Sequence, residues 1–310
     1  MSYSQEKIKE VSKLLEKVPT LQEVKLLSVY SDEWLEENKE NLVTLCVIDL
    51  ESTGINFLFD EITEVACRQL VVDKTTGQAV KILDGYNGFN EPSDMTLLTD
   101  EIQLITGITP EMVKGQKLDW DTINKMCSDS DYIVAHNAGF DSKMIKKYTE
   151  FTAETTWLCS QNDVNWYDKN LPNRKLEVLC PSLEMLGDGL GFNYSAHRAI
   201  NDVDATIQLL INANALKELI TPTVTLQVRG FVSGRFYKMF FEPNRFYFKS
   251  EKGGQDKFVH GQVKEDKVED MKKYIMEVAQ KERDNDTDER TAGKPLQVTF
   301  AVVPFTNKKY

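Results

Sequence analysis

Apolar residues recur along the chain with two different periods, and the switches between them outline the architecture. Residues 42–50, LVTLCVIDL, form an apolar run of the length expected for a strand buried on both faces. The run leads into Glu51-Ser52-Thr53-Gly54, which reads as a loop. Residues 62–72, ITEVACRQLVV, predict a second strand, Asp73-Lys74-Thr75-Thr76-Gly77 a hairpin turn, and residues 79–89 a returning third strand. Helical spacing follows over 98–105, ending at Thr106-Gly107, and over 119–128, where Asp119 is an acidic cap. Tyr132-Ile133-Val134-Ala135 is a short strand, and a helix opens at Asp141, which the spacing treats as its N-cap. Residues 175–186 read as helical. From Asp202 to about Leu216, Val203, Ile207, Leu210 and Ile211 line one inner face. A hairpin followed by strand–helix units predicts an α/β domain with a mixed, five-stranded sheet flanked by helices.

The flanks differ from this body. Ile8, Val11, Leu14 and Leu15 share one helical face, so residues 1–41 read as a helical lead-in. Thr221-Pro222-Thr223 breaks the pattern after the last long helix. Beyond it, 223–232 and 235–249 are dense in Val, Phe and Tyr and predict strands, with a turn at Pro243-Asn244. Residues 266–280 predict a helix, 281–290 a charged loop, and 296–304 a last strand. The expected organisation is a lead-in over 1–41, the α/β domain over 42–218 and a smaller α+β module over 219–310.

Composition narrows the function classes. The chain has 310 residues, 41% hydrophobic and 28% charged, enough for a filled core in one large or two ordinary domains. A net charge of −12 excludes a polybasic coat on nucleic acid but not a local grip at one site. The five cysteines, Cys46, Cys67, Cys127, Cys159 and Cys180, contain no C-x-x-C pair. They exclude a disulfide scaffold and fit a reducing compartment. Three histidines would supply a zinc site poorly. No apolar run reaches the ~18 residues of a membrane span, and the first residues lack a secretory apolar core, so a cytoplasmic protein is expected.

Chemistry gathers at element ends. Asp49 and Glu51 stand two apart at the end of the first strand, so alternation points both to one face. Paired carboxylates repel each other, and burial adds to the cost; a cation between them removes both penalties. An all-carboxylate set suits an oxygen-liking divalent ion such as Mg²⁺ or Mn²⁺. By itself D-x-E is equally a solvated loop start. Asp141 follows the strand YIVA at a sheet edge where α/β sites form, although an N-cap explains it as well. His197 precedes Asp202 by five residues, on a loop leading into a helix. Its side-chain type is suited to general-base work, and a surface histidine is the plainer alternative. Four carboxylates from three regions can converge on two ions roughly 3.5–4 Å apart, with a neutral imidazole beside them to take a proton from water.

Together these stretches resemble the DEDDh branch of the DnaQ-like 3′–5′ exonucleases. They are VIDLESTG (47–54), HNAGFD (136–141) and HRAINDVDAT (197–206), in family order and over just over half the chain. The likeness extends to exonuclease domains of bacterial replicative-polymerase proofreading subunits. The resemblance implies a ribonuclease H-like fold, Asp49, Glu51, Asp141 and Asp202 as ligands of two Mg²⁺ or Mn²⁺ ions, and His197 as general base. Its H-x-x-x-x-D spacing selects Asp202 rather than Asp204. It also implies a pocket for the 3′-terminal nucleotide shaped by Thr53, Gly54 and the ITGIT stretch at 105–109. There Thr106 stands where the family often has histidine. Phe57, Phe59 and Phe140 are stacking candidates, with core packing the bland alternative for Phe140 and an alternating edge segment that for Phe57 and Phe59. Arg174 and Lys175 are phosphate candidates in a stretch that otherwise reads as structural.

The expected activity is metal-dependent removal of nucleoside 5′-monophosphates from single-stranded or frayed DNA or RNA 3′ ends. The other reading is a catalytically dispensable binding module of a replication or repair complex, which would require a missing acid or base; none is missing. In the C-terminal module, Arg229, Arg235, Tyr237, Lys238, Arg245, Phe246, Tyr247 and Lys249 interleave basic and aromatic residues. Such a pattern fits a single-strand platform, a docking face for a protein partner, or any half-exposed sheet.

Overall fold

The computed structural model describes residues 30–149, 156–171, 173–187, 189–230, 238, 241, 246–250, 257–284 and 297–304. The chain divides into two compact units that part between Ile220 and Thr221. The expected lead-in helix over 5–17 lies outside the described residues. What is described of the lead-in is α1 (Asp32–Asn38), opened by Ser31, whose hydroxyl accepts the Trp34 N–H at 3.2 Å.

The first unit is built on a five-stranded sheet of order β3-β2-β1-β4-β5. Its strands are β1 (Leu42–Ser52), β2 (Ile62–Asp73), β3 (Ala79–Phe89), β4 (Tyr132–Ala135) and β5 (Trp157–Cys159). β1–β2 and β2–β3 pair antiparallel, while β1–β4 and β4–β5 pair parallel. Long antiparallel strands come from the hairpin; the short parallel ones come from strand–helix units. Around it lie helices α2 (Asp100–Thr106), α3 (Trp120–Ser128), α4 (Ala138–Ile145), α5 (Leu176–Ser182), α6 (Ala199–Asn212) and α7 (Leu216–Ile220), with single helical turns at Pro110–Val113 and Ser160–Asp163.

β1 divides the core by parity. Leu45 and Val47 pack in the cluster that contains Val203, Ile207 and Leu210 of α6. Cys46, Ile48 and Leu50 pack in a second cluster with Ile123 of α3 and Ala138, Met144 and Ile145 of α4. The apolar run is therefore continuous because both faces are covered.

Several boundaries differ from expectation. β1 does not stop before Glu51: Glu51 pairs with Glu64, and Ser52 with Ile62 across a register shift. Asp141 is not an N-cap. α4 begins three residues earlier, behind Asn137, and Asp141 sits inside the helix, 3% exposed. The last long helix starts at Ala199 rather than Asp202 and ends at Asn212, followed by Asn214 at φ 48°. Pro181 lies near the end of α5, which passes into a 3-10 turn at Leu183–Leu186. β5 has three residues, too few for a period to show.

The second unit holds a four-stranded antiparallel sheet of order β7-β8-β6-β9, against which packs a long helix, α8 (Val268–Asp284). Its strands are β6 (Thr223–Gly230), β7 (Tyr247–Ser250), β8 (Lys257–Lys264) and β9 (Val298–Pro304). Val268, Ile275 and Ala279 of α8 pack with Val224, Leu226, Val228, Val259 and Val263. β8 was not expected, because Gly261 interrupts its short alternation. A Cβ at Gly261 would lie 2.6 Å from the Phe246 ring, so glycine makes room for that core side chain. Of the strand expected over 235–249, only its end falls in β7. Arg235, Tyr237 and Arg245 lie outside the described residues. Lys281–Asp284, expected in a charged loop, continue α8. No helix among the described residues is long and apolar enough to cross a membrane.

Candidate metal centre

Strand parity brings the first two acids together. Asp49 and Glu51 share the parity of Leu45 and Val47, whose side chains meet α6. The first turn of α6 carries Asp202, 9% exposed. One ligand atom from each of Asp49, Glu51 and Asp202 lies within 4.8 Å of the others. Asp141 reaches the same strand end from α4, on the other side of the sheet, and stands outside this close trio. Its charge is nonetheless felt by Asp49 and Glu51.

Burial and mutual repulsion penalise the charges of these acids. Burial, then the charges of Asp202, Asp141, Glu51 and Glu64, push Asp49 well above the usual carboxylate range. Glu51 is raised by burial, Asp202, Glu64 and Asp141, with Arg198 opposing. Burial lifts Asp141 to about 7 against the pull of its own backbone and that of Leu50. Burial lifts Asp202 to about 7 although the Tyr194 hydroxyl and the backbone of His197 and Arg198 favour its ionised form. The Tyr194 hydroxyl donates to Asp202 Oδ1 at 2.9 Å, and the His197 N–H to Oδ2 at 2.8 Å. Carboxylate oxygens this close, in a setting that penalises their charge, fit a hard divalent cation.

Linkage gives this crowding a measurable consequence. The folded values of Asp141 and Asp202 lie near 7, whereas an unfolded aspartate titrates near ~4. Between those limits the unfolded chain releases protons that the metal-free folded protein keeps. Stability therefore falls as pH rises through the window and stays low above it. His136 works against this trend, because burial holds its folded value down at about 4. It offsets one proton against at least two. In EDTA, thermal midpoints are expected to fall between pH 5 and pH 8, and Mg²⁺ or Mn²⁺ to reverse the fall. Asp49→Asn is expected to be the more stable protein in EDTA at pH 8, by several degrees on a scale of about 2–4 °C per kcal/mol. A midpoint that rises with pH in EDTA and is unmoved in the variant would contradict the crowding.

The other expected residues are placed as follows. His197 is exposed, at φ 67°, on the turn entering α6. Thr53 and Gly54 brace a loop: the Thr53 hydroxyl donates to Asp60 Oδ1 at 3.0 Å, and a Cβ at Gly54 would meet Asp60 Oδ2 at 2.5 Å. That loop exposes Ile55, Leu58 and Phe59. Phe57 and Phe140 pack on each other, ring centroids 5.6 Å apart, at the margin of the α3–α4 core. The Thr106 hydroxyl turns back to the Ile102 carbonyl at 2.9 Å and accepts the Ile108 N–H at 3.1 Å, so it serves the end of α2. His136 is structural: Nε2 donates to the Arg174 carbonyl at 2.7 Å, leaving Nδ1 to accept from Ser160 Oγ at 2.8 Å. Arg174 reaches Asn162 and Lys175 reaches Glu177.

Sequence reasoning passed over Tyr194, Glu64 and Arg198. Glu64 left a trace, a lone acid in an otherwise apolar stretch of β2, where it is 0% exposed. Asp204 bonds Arg68 Nε at 2.6 Å, so the second aspartate of HRAINDVDAT has a partner on β2 while the first joins the trio.

Comparison with known proteins matches residues 46–210 to the RNase T family model, described as exonuclease. DNA polymerase III PolC-type from Thermotoga petrophila is 28% identical over 171 residues, covering 54% of this chain and 12% of that protein. The Listeria monocytogenes protein of the same description is 31% identical over 176 residues, covering 54% and 11%. The chain thus spans only a small part of the length of the curated relatives it matches. Among solved structures, the zinc-bound E. coli exonuclease I–single-stranded DNA complex matches at 16% identity and TM-score 0.40, covering 63% of this chain and 48% of that one. A full-length 3′-exonuclease crystal structure matches at 17% identity and TM-score 0.40, covering 56% and 82%.

Proposed function

The chain belongs to the exonuclease family of the RNase T model, and from that premise we propose that it is a metal-dependent 3′–5′ exonuclease acting on single-stranded or frayed ends. The observation that carries the reading is the trio Asp49, Glu51 and Asp202, with ligand atoms within 4.8 Å of one another. Those three and Asp141 would hold two Mg²⁺ or Mn²⁺ ions. When bound, such ions polarise the scissile phosphate, lower the cost of deprotonating water and stabilise the leaving oxygen. The residues of the chain do the rest. Tyr194 and the His197 backbone fix the Asp202 carboxylate from both oxygens. The His197 imidazole, exposed on the turn whose backbone holds Asp202, takes the proton of the attacking water. The water oxygen bonds to phosphorus as the P–O3′ bond breaks, and the departing O3′ takes a proton from solvent, releasing a nucleoside 5′-monophosphate and leaving a new 3′-hydroxyl on the shortened strand. Five buried thiols suit a reducing cytoplasm.

The test is polarity and end structure. End-labelled single-stranded DNA, single-stranded RNA and duplexes with matched or frayed 3′ ends are offered in Mg²⁺ or Mn²⁺. Attack from the 3′ end, faster where no pairing must break, is expected. Cuts inside a circular strand would refute the reading.

The second unit adds a nucleic-acid contact to this proposal. α8 covers one sheet face through Val224, Leu226 and Val228. The other parity of β6, β7 and β8 carries Arg229, Lys249, Tyr247, His260 and Phe258. Arg229 lies 4.6 Å over the Phe258 ring, Lys249 Nζ 5.9 Å from it, and Tyr247 is 60% exposed. Thr221–Asn307 holds 15 basic and 13 acidic residues in a chain of net −12, so the module is locally positive. A cationic face with a bare aromatic ring suits the backbone and bases of a single strand. Tyr247→Ala with Lys249→Ala is expected to raise KM for a long single strand about tenfold, the loss of one stacked base, with kcat unchanged. An unchanged KM would remove this face from substrate binding.

A further inference from the structure

Arg198 and Glu64 form an ion pair that the reaction described above does not use. Arg198 is 7% exposed and Glu64 0%. The pairing is two-pronged, Nε to Oε2 and Nη2 to Oε1, both at 3.1 Å. The guanidinium also lies 5.2 Å over the Phe89 ring. Glu64 does a second task. Arg198 occupies the N-cap position of α6 and provides no side-chain cap, and the Ala199 N–H donates instead to Glu64 Oε2 at 3.2 Å. A carboxylate from β2 thus caps the helix that carries Asp202.

A second pair runs in the opposite sense. Asp204 of α6 bonds Arg68 of β2, Oδ1 to Nε at 2.6 Å. Glu64 and Arg68 are four residues apart in one strand and so face the same side. The helix offers a cation then an anion; the strand offers an anion then a cation. Displacing α6 to bring Asp204 towards Glu64 would set like charges together, so the crossed pairs admit one register. Asp202 lies between the two clamped positions of α6. On the neighbouring strand, Glu64 is the cross-strand partner of Glu51. One ion pair therefore touches both halves of the acidic trio, the β1 half through strand pairing and the α6 half through the cap.

Stability alone is a poor reason for such a pair, since well-packed apolar residues often do as well or better. Nor does its charge favour the four acids: Glu64 raises Asp49, Glu51 and Asp202, and Arg198 opposes it at Glu51. We propose that Glu64 and Arg198 are positioning residues that hold Asp202 against Asp49 and Glu51, and thereby set the affinity of the centre for divalent ions. The inference rests on the metal-dependent reading above.

The experiment is calorimetric titration of the full chain with Mn²⁺ without nucleic acid, beside thermal midpoints in EDTA and in Mn²⁺, and kcat and KM on a labelled strand. The informative variant is the double substitution Glu64→Leu with Arg198→Met, which keeps volume and removes both charges. It is expected to melt somewhat lower in EDTA, because the Ala199 N–H loses its cap, and to bind Mn²⁺ roughly 10–100-fold more weakly, the usual consequence of removing support behind a metal ligand. Its kcat at fixed sub-saturating Mn²⁺ falls in parallel. Should the double variant fail to fold, Glu64→Gln and Arg198→Lys carry the test. Each keeps part of the hydrogen bonding and is expected to lose Mn²⁺ affinity in smaller measure. A folded variant whose Mn²⁺ affinity matches wild type overturns the proposal, even if its midpoint in EDTA has dropped, because that is the mark of a purely structural pair. Failure of the underlying reading looks different: wild type itself would take up no Mn²⁺, or Asp49→Ala would bind it as wild type does.

Discussion

Replacing Asp49 or Asp202 with Ala is expected to abolish nucleotide release while leaving the protein folded. Both carboxylates belong to the trio within 4.8 Å, and neither can be replaced by a neighbour, because Glu64 is committed to Arg198 and Asp204 to Arg68. Losing a bound cation removes several kcal/mol of transition-state stabilisation, about a thousandfold in rate at ~4 kcal/mol. EDTA is expected to have the same effect on the wild-type protein. Asp49→Ala should be as stable as wild type or more so in EDTA, because one of several mutually repelling carboxylates is gone. The measurement is nucleotide release from a 3′-labelled strand in Mg²⁺, Mn²⁺ and EDTA, with thermal melting alongside. Full activity in EDTA, or in either Ala variant, would end the metal mechanism. Zn²⁺ is not expected to be the working ion, since the trio contains neither Cys nor His.

His197→Ala is expected to lower kcat by roughly 10²–10⁴-fold, the usual worth of a positioned proton acceptor. It is the backbone N–H of His197, not the ring, that bonds Asp202. Truncation therefore keeps the support of the metal ligand and removes the imidazole alone. His is more common than Ala at a φ of 67°, so the truncation carries a small backbone cost that thermal melting reads separately. Mn²⁺ affinity should stay at the wild-type value. A wild-type rate in His197→Ala would remove the residue from the reaction. A fall in Mn²⁺ affinity equal to the fall in rate would make it a ligand instead.

Much of this was legible in the chain itself. The parity of Asp49 and Glu51 follows from their spacing alone, since strand geometry puts residues two apart on one face. The order hairpin, strand, helix foretold the mixed sheet, because each element carries a long enough hydrophobic period. The acidic chemistry was legible for the same reason: carboxylates at the ends of apolar strands are costly unless something compensates them. Three features were not. Asp141 read as a cap because an aspartate before a helical stretch has that local role, whereas the helix begins three residues earlier. β8 was missed because Gly261 has no side chain to mark an alternation, and its purpose appears only when Phe246 packs against it. The bond from the Thr106 hydroxyl back to the Ile102 carbonyl of α2 is likewise invisible in the motif that holds it.

The sequence by itself determined what the chain can form and which chemistry it holds, because periodicity, capping and charge repulsion act over a few residues. Only the tertiary structure decided which acids meet and which are spent elsewhere. Asp202 and Asp204 lie two apart in one helix, yet one faces Asp49 and Glu51 and the other Arg68. Glu64 and Arg198 are separated by 134 positions and close on each other with almost no exposure to solvent. Such pairings depend on where a helix lands on a sheet. That placement is set by the summed packing of Val203, Ile207 and Leu210 against β1 and β2 rather than by any local pattern.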